Sequence, residues 1–215
     1  MQESATREKV LKKLRSSLIA KTPEPAPGAD YHQSLFHPAD EVPEYAFAQA
    51  FRESGGQFYF CTDEVEFAEV LMELCQKRQW RNMVCAESAP LNFLTQCEFN
   101  VTSDLSKVPA CDVAVSCCEY LIARTGSIVV SSESASGRSL PFFATAHVVV
   151  AFSNQVVGDL KDVLDHLRAR KEYFNPSTLS FITGPGRTAD IGNETVIGAQ
   201  GPLETYLFLI DKDGW

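Results

Sequence analysis

Much is missing from this 215-residue chain. No stretch is long and apolar enough to cross a bilayer, so no membrane partner is expected. The start, Met1-Gln2-Glu3-Ser4, runs into charged sequence without a signal-peptide core, which makes the cytoplasm the expected location. No basic patch interleaved with aromatics is present, and 19 Lys+Arg against 28 Asp+Glu argue against a nucleic-acid partner. Seven cysteines (Cys61, Cys75, Cys85, Cys97, Cys111, Cys117, Cys118) include no Cys-x-x-Cys, so neither a zinc ribbon nor a ferredoxin-type cluster is indicated. Their odd number and apolar surroundings suit a reduced chain that uses cysteine as a small hydrophobe. The adjacent Cys117-Cys118 pair reads as buried thiols before it reads as a redox couple. None of His32, His37, His147 and His166 has the His-x-x-x-His spacing of a helix-borne metal site, so no metal and no cofactor are expected. His166 reads as solvated; His147 heads a buried strand, as a satisfied core residue or facing a cleft. There is no Gly-x-Ser-x-Gly nucleophile elbow.

What is present suits one α/β domain with an N-terminal extension. Hydrophobic residues make up 45% of the chain, enough for a sizeable core. Residues 4–20 carry Val10, Leu11, Leu14 and Leu18 on one helical face, followed by a proline-rich linker, Lys21 to Gly28. We divide the chain accordingly into 1–30, helix and linker, and 31–215, the domain. From Glu41 helices and strands alternate. Helices are expected over 41–53, from a capping box at Asp63 and Glu66 to Gln79, over 89–96, and from Asp159 to about Lys171. Strands are expected over 57–61, 82–86, 98–102, 112–116, 128–131, 147–152, 178–183 and 205–211. Apolar strands separated by helices imply a mostly parallel sheet with helices on both faces.

The chain's densest cluster of special-geometry residues is Thr183-Gly184-Pro185-Gly186-Arg187-Thr188-Ala189-Asp190, continued at Gly198-Ala199-Gln200-Gly201-Pro202. Glycines permit sharp turns and close approach, successive free N–H groups form anion-binding concavities, and Arg187 adds a planar charged fork. A structural turn fits the same residues. Gly184-x-Gly186-x-x-Ala189 with Asp211 resembles a dinucleotide fingerprint, but Pro185 and the later glycines leave no room for its helix. Two further loops supply Thr125, Gly126 and Ser127, and Arg138. Arg138 and Arg187 could clamp an anion from two sides. Catalytic residues stay unassigned; Glu119 and Glu194 are candidate carboxylates.

At these residues the chain resembles the LUD domain family, and within it the lactate-utilisation protein C group. The resemblance is carried by Ala123-Arg124-Thr125-Gly126-Ser127, Gly137-Arg138-Ser139-Leu140, His147 to Val150, Thr183 to Ile191 and Val196 to Pro202. It implies a NagB/RpiA/CoA-transferase-like α/β/α fold and a role in oxidising L-lactate to pyruvate, beside iron–sulfur and oxidoreductase-like partner subunits. It leaves open a stand-alone CoA-transferase-like or sugar-phosphate-isomerase-like enzyme, and a non-catalytic assembly factor. The family pattern usually has glutamate where this chain has Arg124, serine at Gly186 and histidine at Gln200. Binding of a small anionic ligand is therefore a safer expectation than catalysis.

Overall fold

The computed structural model describes residues 2–19, 42–170, 174–189, 194–198 and 200–215. The linker, His32, His37, Asp190 and Ala199 lie outside them. The chain divides into two units, Met1–His37 and Pro38–Trp215. Of the first, one helix is described, α1 (Gln2–Ile19), over almost the span its periodicity predicts.

In the second unit, α2 (Pro43–Glu53) opens on a proline at its first position, where a missing N–H costs nothing. It leads through Gly55 and Gly56 into β1 (Gln57–Cys61). The N-cap half of the expected capping box opens α3 (Glu64–Arg78), where Asp63 accepts from the Glu66 N–H at 2.9 Å; the Glu66 carboxylate accepts from the Thr62 N–H at 2.7 Å rather than from that of Asp63. The buried stripe of α3 is Phe67, Leu71, Leu74 and Cys75. Val65 and Met72 are exposed, because the Phe67 ring sets the packed face. β2 (Met83–Cys85), α4 (Ser88–Gln96), β3 (Val101–Thr102), β4 (Val113–Cys117), β7 (Ala146–Phe152) and β12 (Glu204–Ile210) follow in chain order, with other elements between them.

β1, β12, β7, β4, β2 and β3 form, in that order, a sheet in which every pairing is parallel. Its interior strands β7 and β12 are buried, all but Glu204 at the start of β12, as the continuous apolar runs of a two-face-covered parallel sheet require. One face packs on α3 and α4 through Phe67, Leu71, Leu94, Val115, Val148 and Phe208.

The other face is where structure and expectation part. The apolar runs near 128 and 179 do not join the parallel sheet. They form β6 (Ser127–Ser131) and β9 (Leu179–Ile182) of a second, four-stranded sheet, with β5 (Tyr120–Ile122) and β8 (Val156–Val157), ordered β8-β5-β6-β9. β6 is antiparallel to both its neighbours. Leu121, Ile128, Val130 and Ile182 from this sheet, with Phe47 and Phe51 from α2, cover Val149, Ala151, Leu207 and Leu209. α5 (Leu140–Phe143) covers Val84 and Ala114 beside them. α6 (Leu160–Ala169) closes the outside of the second sheet through Val163 and Leu167. The α/β class with helices on both sides of a parallel sheet holds, with this extra layer inserted.

Candidate functional site

The connectivity sorts every candidate residue to one end of the parallel strands or the other. α2 enters β1 at its amino end, and residues 200–203 enter β12 at the same end, where the Leu203 N–H bonds the Thr145 carbonyl at 2.9 Å. After β4 the chain reverses at the carboxyl end into β5, turns at Ala123–Gly126 and returns along β6. β9 runs antiparallel to β6 and delivers Thr183 and Gly184 beside that turn.

At the amino end three loops meet. Thr125 and Ser127 hydroxyls lie 2.7 Å apart, and Ser127 and Thr183 hydroxyls also 2.7 Å, so one hydroxyl chain joins the first two loops. The Gly186 N–H donates to the Pro202 carbonyl at 3.0 Å and the Gly198 N–H to the Gly186 carbonyl at 2.8 Å, adding the third. Gly126 and Gly184 have φ of 60° and 70°, a region that favours glycine. A Cβ on Gly126 would meet the Phe51 nitrogen at 2.3 Å, and one on Gly184 the Ser54 carbonyl oxygen at 2.3 Å. These two glycines thus let the loops dock on the end of α2, and Gly186 packs equally tightly on Gln200 and Gly201. What faces outward is Thr125, Thr183, Gln200 and Arg187. Arg187 and Thr188 form β10 (Arg187–Thr188), paired antiparallel with β11 (Val196–Ile197), and Glu194 lies exposed in the connection. Arg124 forms an ion pair with Asp159 at 2.5 Å, and Asp159 also caps α6, which fixes the turn to that helix.

Beneath this end lies His147, fully buried, 2.8 Å from the Ser116 hydroxyl through Nε2. Burial holds its imidazole neutral, with a pKa lowered to about 3. Its Nδ1, and the hydroxyl of Thr205 opposite it on β12, have no hydrogen-bond partner. His147 is thus a core histidine on one nitrogen only.

The carboxyl end gathers different chemistry. Glu119 accepts from the Ser131 hydroxyl at 2.8 Å and pairs with Arg170 at 3.5 Å. Glu87, just beyond β2, accepts from the Ser134 hydroxyl at 2.6 Å through one oxygen; the other is buried without a partner, as is the Ser136 hydroxyl. Desolvation, reinforced by Glu87, pushes the Cys117 thiol up to about 12; desolvation also raises the Cys85 thiol, reinforced by Glu87, and the Cys118 thiol, reinforced by Cys117 and Glu119. All seven cysteines are free. Trp215 packs on Phe93, Phe152 and Phe67 with ring centroids 5.3, 5.7 and 6.4 Å away.

Arg138 belongs to this end: its guanidinium bonds the Ser177 hydroxyl, at the entry to β9. Arg187 follows the exit of that strand. Ser177 and Thr183 are separated by six residues of extended chain, roughly 20 Å at about 3.3 Å per residue. The two-arginine clamp is therefore not assembled, because β9 separates its halves. Glu119 likewise faces away from the glycine loops. Glu87, Ser136 and Trp215 escaped the sequence reading; the position of Glu87 directly after an apolar strand was the one available signal, since open α/β sheets hold ligands beyond strand carboxyl ends.

Layers, strand order and loop ends define an α/β protein with a doubly covered parallel sheet. A family profile described as "LUD domain" matches residues 45–210. The chain belongs to the LUD domain family. It is similar to lactate utilization protein C of Halalkalibacterium halodurans, 27% identical over 109 residues covering 50% of this chain and 47% of that one. The Bacillus subtilis protein of the same name is 26% identical over 112 residues, 51% of this chain and 47% of that one. That of Geobacillus kaustophilus is 24% identical over 161 residues, 74% of this chain and 65% of that one. The chain spans about half the length of most of these curated relatives. The crystal structure of a DUF162 family protein from Deinococcus radiodurans superposes with a TM-score of 0.60, at 15% identity, over 78% of this chain and 96% of that one, a likeness of fold. No described helix is long and apolar enough to cross a membrane.

Proposed function

We propose that this protein is a component of lactate utilisation that holds a small carboxylate-bearing ligand against the amino-end loops. The observation that carries this reading is the hydroxyl chain Thr125–Ser127–Thr183, which ties two loops together beside the exposed Arg187. Arg187 makes no ion pair with a described residue, so its fork is available for a carboxylate. Thr125 and Thr183 present hydroxyls at the same rim, and Gln200 an amide. The relatives named for lactate utilization supply the ligand class, L-lactate or pyruvate. Oxidation of lactate removes two electrons and two protons. In this reading the chain positions the substrate, and the electrons pass to iron–sulfur and oxidoreductase-like partner subunits.

Calorimetric titration of L-lactate, pyruvate, a sugar phosphate and coenzyme A into the wild-type protein and Arg187→Ala tests the site. Lactate or pyruvate should bind the wild type and lose at least tenfold in affinity with Arg187→Ala. Equal affinity of both proteins, or binding of the hydroxy acid and keto acid by neither, removes the proposal. Preference for coenzyme A would favour the transferase-like alternative instead.

A further inference from the structure

A fork at Arg187 that holds a carboxylate leaves the rest of the ligand undefined, and the strand pair that carries Arg187 bears on that. β10 and β11 pair antiparallel with Arg187 opposite Ile197 and Thr188 opposite Val196. Residues directly opposite in such a pair set their side chains on one face, with Cβ atoms about 4.5–5.5 Å apart. The stem of Arg187 therefore rises beside Ile197. Both side chains are exposed, Ile197 by 50%. Ile197 packs in none of the hydrophobic clusters of the core. An apolar side chain that the core does not use thus stands directly beside the charged fork.

The entry to β12 brings a second apolar side chain to the same place. The Gly198 N–H bonds the Gly186 carbonyl at 2.8 Å and the Gly186 N–H the Pro202 carbonyl at 3.0 Å, which ties this entry to the strand pair. Leu203 is held twice. Its N–H bonds the Thr145 carbonyl at 2.9 Å, and its side chain lies over Gly198, where a Cβ would meet Leu203 Cδ2 at 2.3 Å. Gly198 adjoins Ile197 in the chain and has φ of 81°, so a residue without a side chain stands where Leu203 has to lie. Leu203 is also 50% exposed. The apolar surface next to Arg187 is built from two elements, each fixed by backbone hydrogen bonds. Glu194 lies exposed two residues before β11. A ligand with a second negative charge at its far end would lay that charge on apolar side chains near a carboxylate, and would lose on both counts.

We propose that the amino-end site prefers 2-hydroxy or 2-oxo monocarboxylates whose apolar tail is longer than the methyl group of lactate, with the tail lying across Ile197 and Leu203. The inference rests on the reading of Arg187 as the carboxylate anchor. Arg187 takes the carboxylate, the rim hydroxyls face the oxygen on the second carbon, and Ile197 and Leu203 set the gain per added carbon. A fully buried methylene adds about fourfold in affinity and a half-covered one about twofold. The three methylenes by which 2-hydroxyhexanoate exceeds lactate should together add about eightfold.

The test is calorimetry with L-lactate, L-2-hydroxybutyrate and L-2-hydroxyhexanoate on the wild type, Ile197→Ser and Arg187→Ala, with L-2-hydroxyglutarate as the charged-tail control. The wild type should bind 2-hydroxyhexanoate at least about fivefold more tightly than lactate, with 2-hydroxybutyrate between them. In Ile197→Ser that ratio should fall below about twofold. The wild type should bind 2-hydroxyglutarate no more tightly than lactate. Ligands that depend on Arg187 yet bind with equal affinity along the series overturn this inference and leave the carboxylate reading standing. Binding that Arg187→Ala leaves unchanged, or binding of none of the acids, removes both. A ratio unchanged in Ile197→Ser, or 2-hydroxyglutarate bound as tightly as 2-hydroxyhexanoate, also overturns the inference. Should Ile197→Ser not fold, the wild-type series decides alone.

Discussion

The two ends of the parallel sheet solve opposite problems. At the amino end the loops are pressed onto α2 so closely that Gly126 and Gly184 leave no space for a Cβ, and the polar groups on the surface are hydroxyls and an exposed guanidinium. At the carboxyl end the loops leave a carboxylate oxygen and a hydroxyl buried and unmatched, and a tryptophan sits on other aromatics. Both ends bury unmatched polar atoms, His147 Nδ1 and the Thr205 hydroxyl at the amino end against a Glu87 oxygen and the Ser136 hydroxyl at the carboxyl end, so the contrast lies in how closely the loops are docked. The difference teaches that a glycine-rich motif marks tight docking of backbone on backbone, and that such docking does not depend on every buried polar atom beneath it being matched.

The largest test of that contrast is by pH. His147 is buried neutral at the rigid end, with its pKa lowered from 6.5 to about 3. The unfolded chain therefore binds a proton that the folded chain refuses between those values. Its contribution is fully present above pH 6.5 and is lost as pH falls toward 3, by at most roughly 5 kcal/mol at about 1.4 kcal/mol per unit. Urea unfolding from pH 7 to 4 should show a steep acid limb in the wild type and a flatter one in His147→Gln. Equal slopes would mean that this end opens readily to water. Next come the glycines. Gly126→Ala and Gly184→Ala should each cost about 3 kcal/mol, through positive φ and overlap with α2 backbone, lowering Tm by about 6–12 °C. A loss under 1 kcal/mol would mean that the loops part from α2 easily. The smallest effect is expected of Arg138→Ala at the opposite end. Its exposed guanidinium bonds one serine, so the unfolding free energy from denaturant titration should change by no more than about 0.5 kcal/mol.

Much of the parallel sheet was legible because its strands are long apolar runs flanked by capped helices; 147–152 and 205–210 could be little else. The second sheet was hidden for a physical reason. β5 and β8 have three and two residues, too short for periodicity to register, and β6 and β9 read as apolar runs whichever sheet they join. The amino-end loops were legible as unusual, since glycines cluster there, and Thr125 and Ser127 do meet Thr183. Their cause was not legible, because it lies in Phe51 and Ser54, some seventy to a hundred and thirty residues earlier in the chain. Arg138 and Arg187 look alike as loop arginines, and the strand that separates them had first to be placed. Glu87 and Trp215 carry no motif and become notable only when burial shows an oxygen without a donor and an indole among three rings.

The position of β12 has a consequence for how the chain is made. It lies between β1 and β7, yet it is the last of the strands to be translated. Until residues 204–210 arrive, β1 has no neighbour in its sheet, and Tyr59 lacks the Phe208 ring on which it stacks at 4.9 Å. Almost 150 residues separate the strand that waits from the strand that completes it. The nascent chain must carry that seam unfinished until β12 is made.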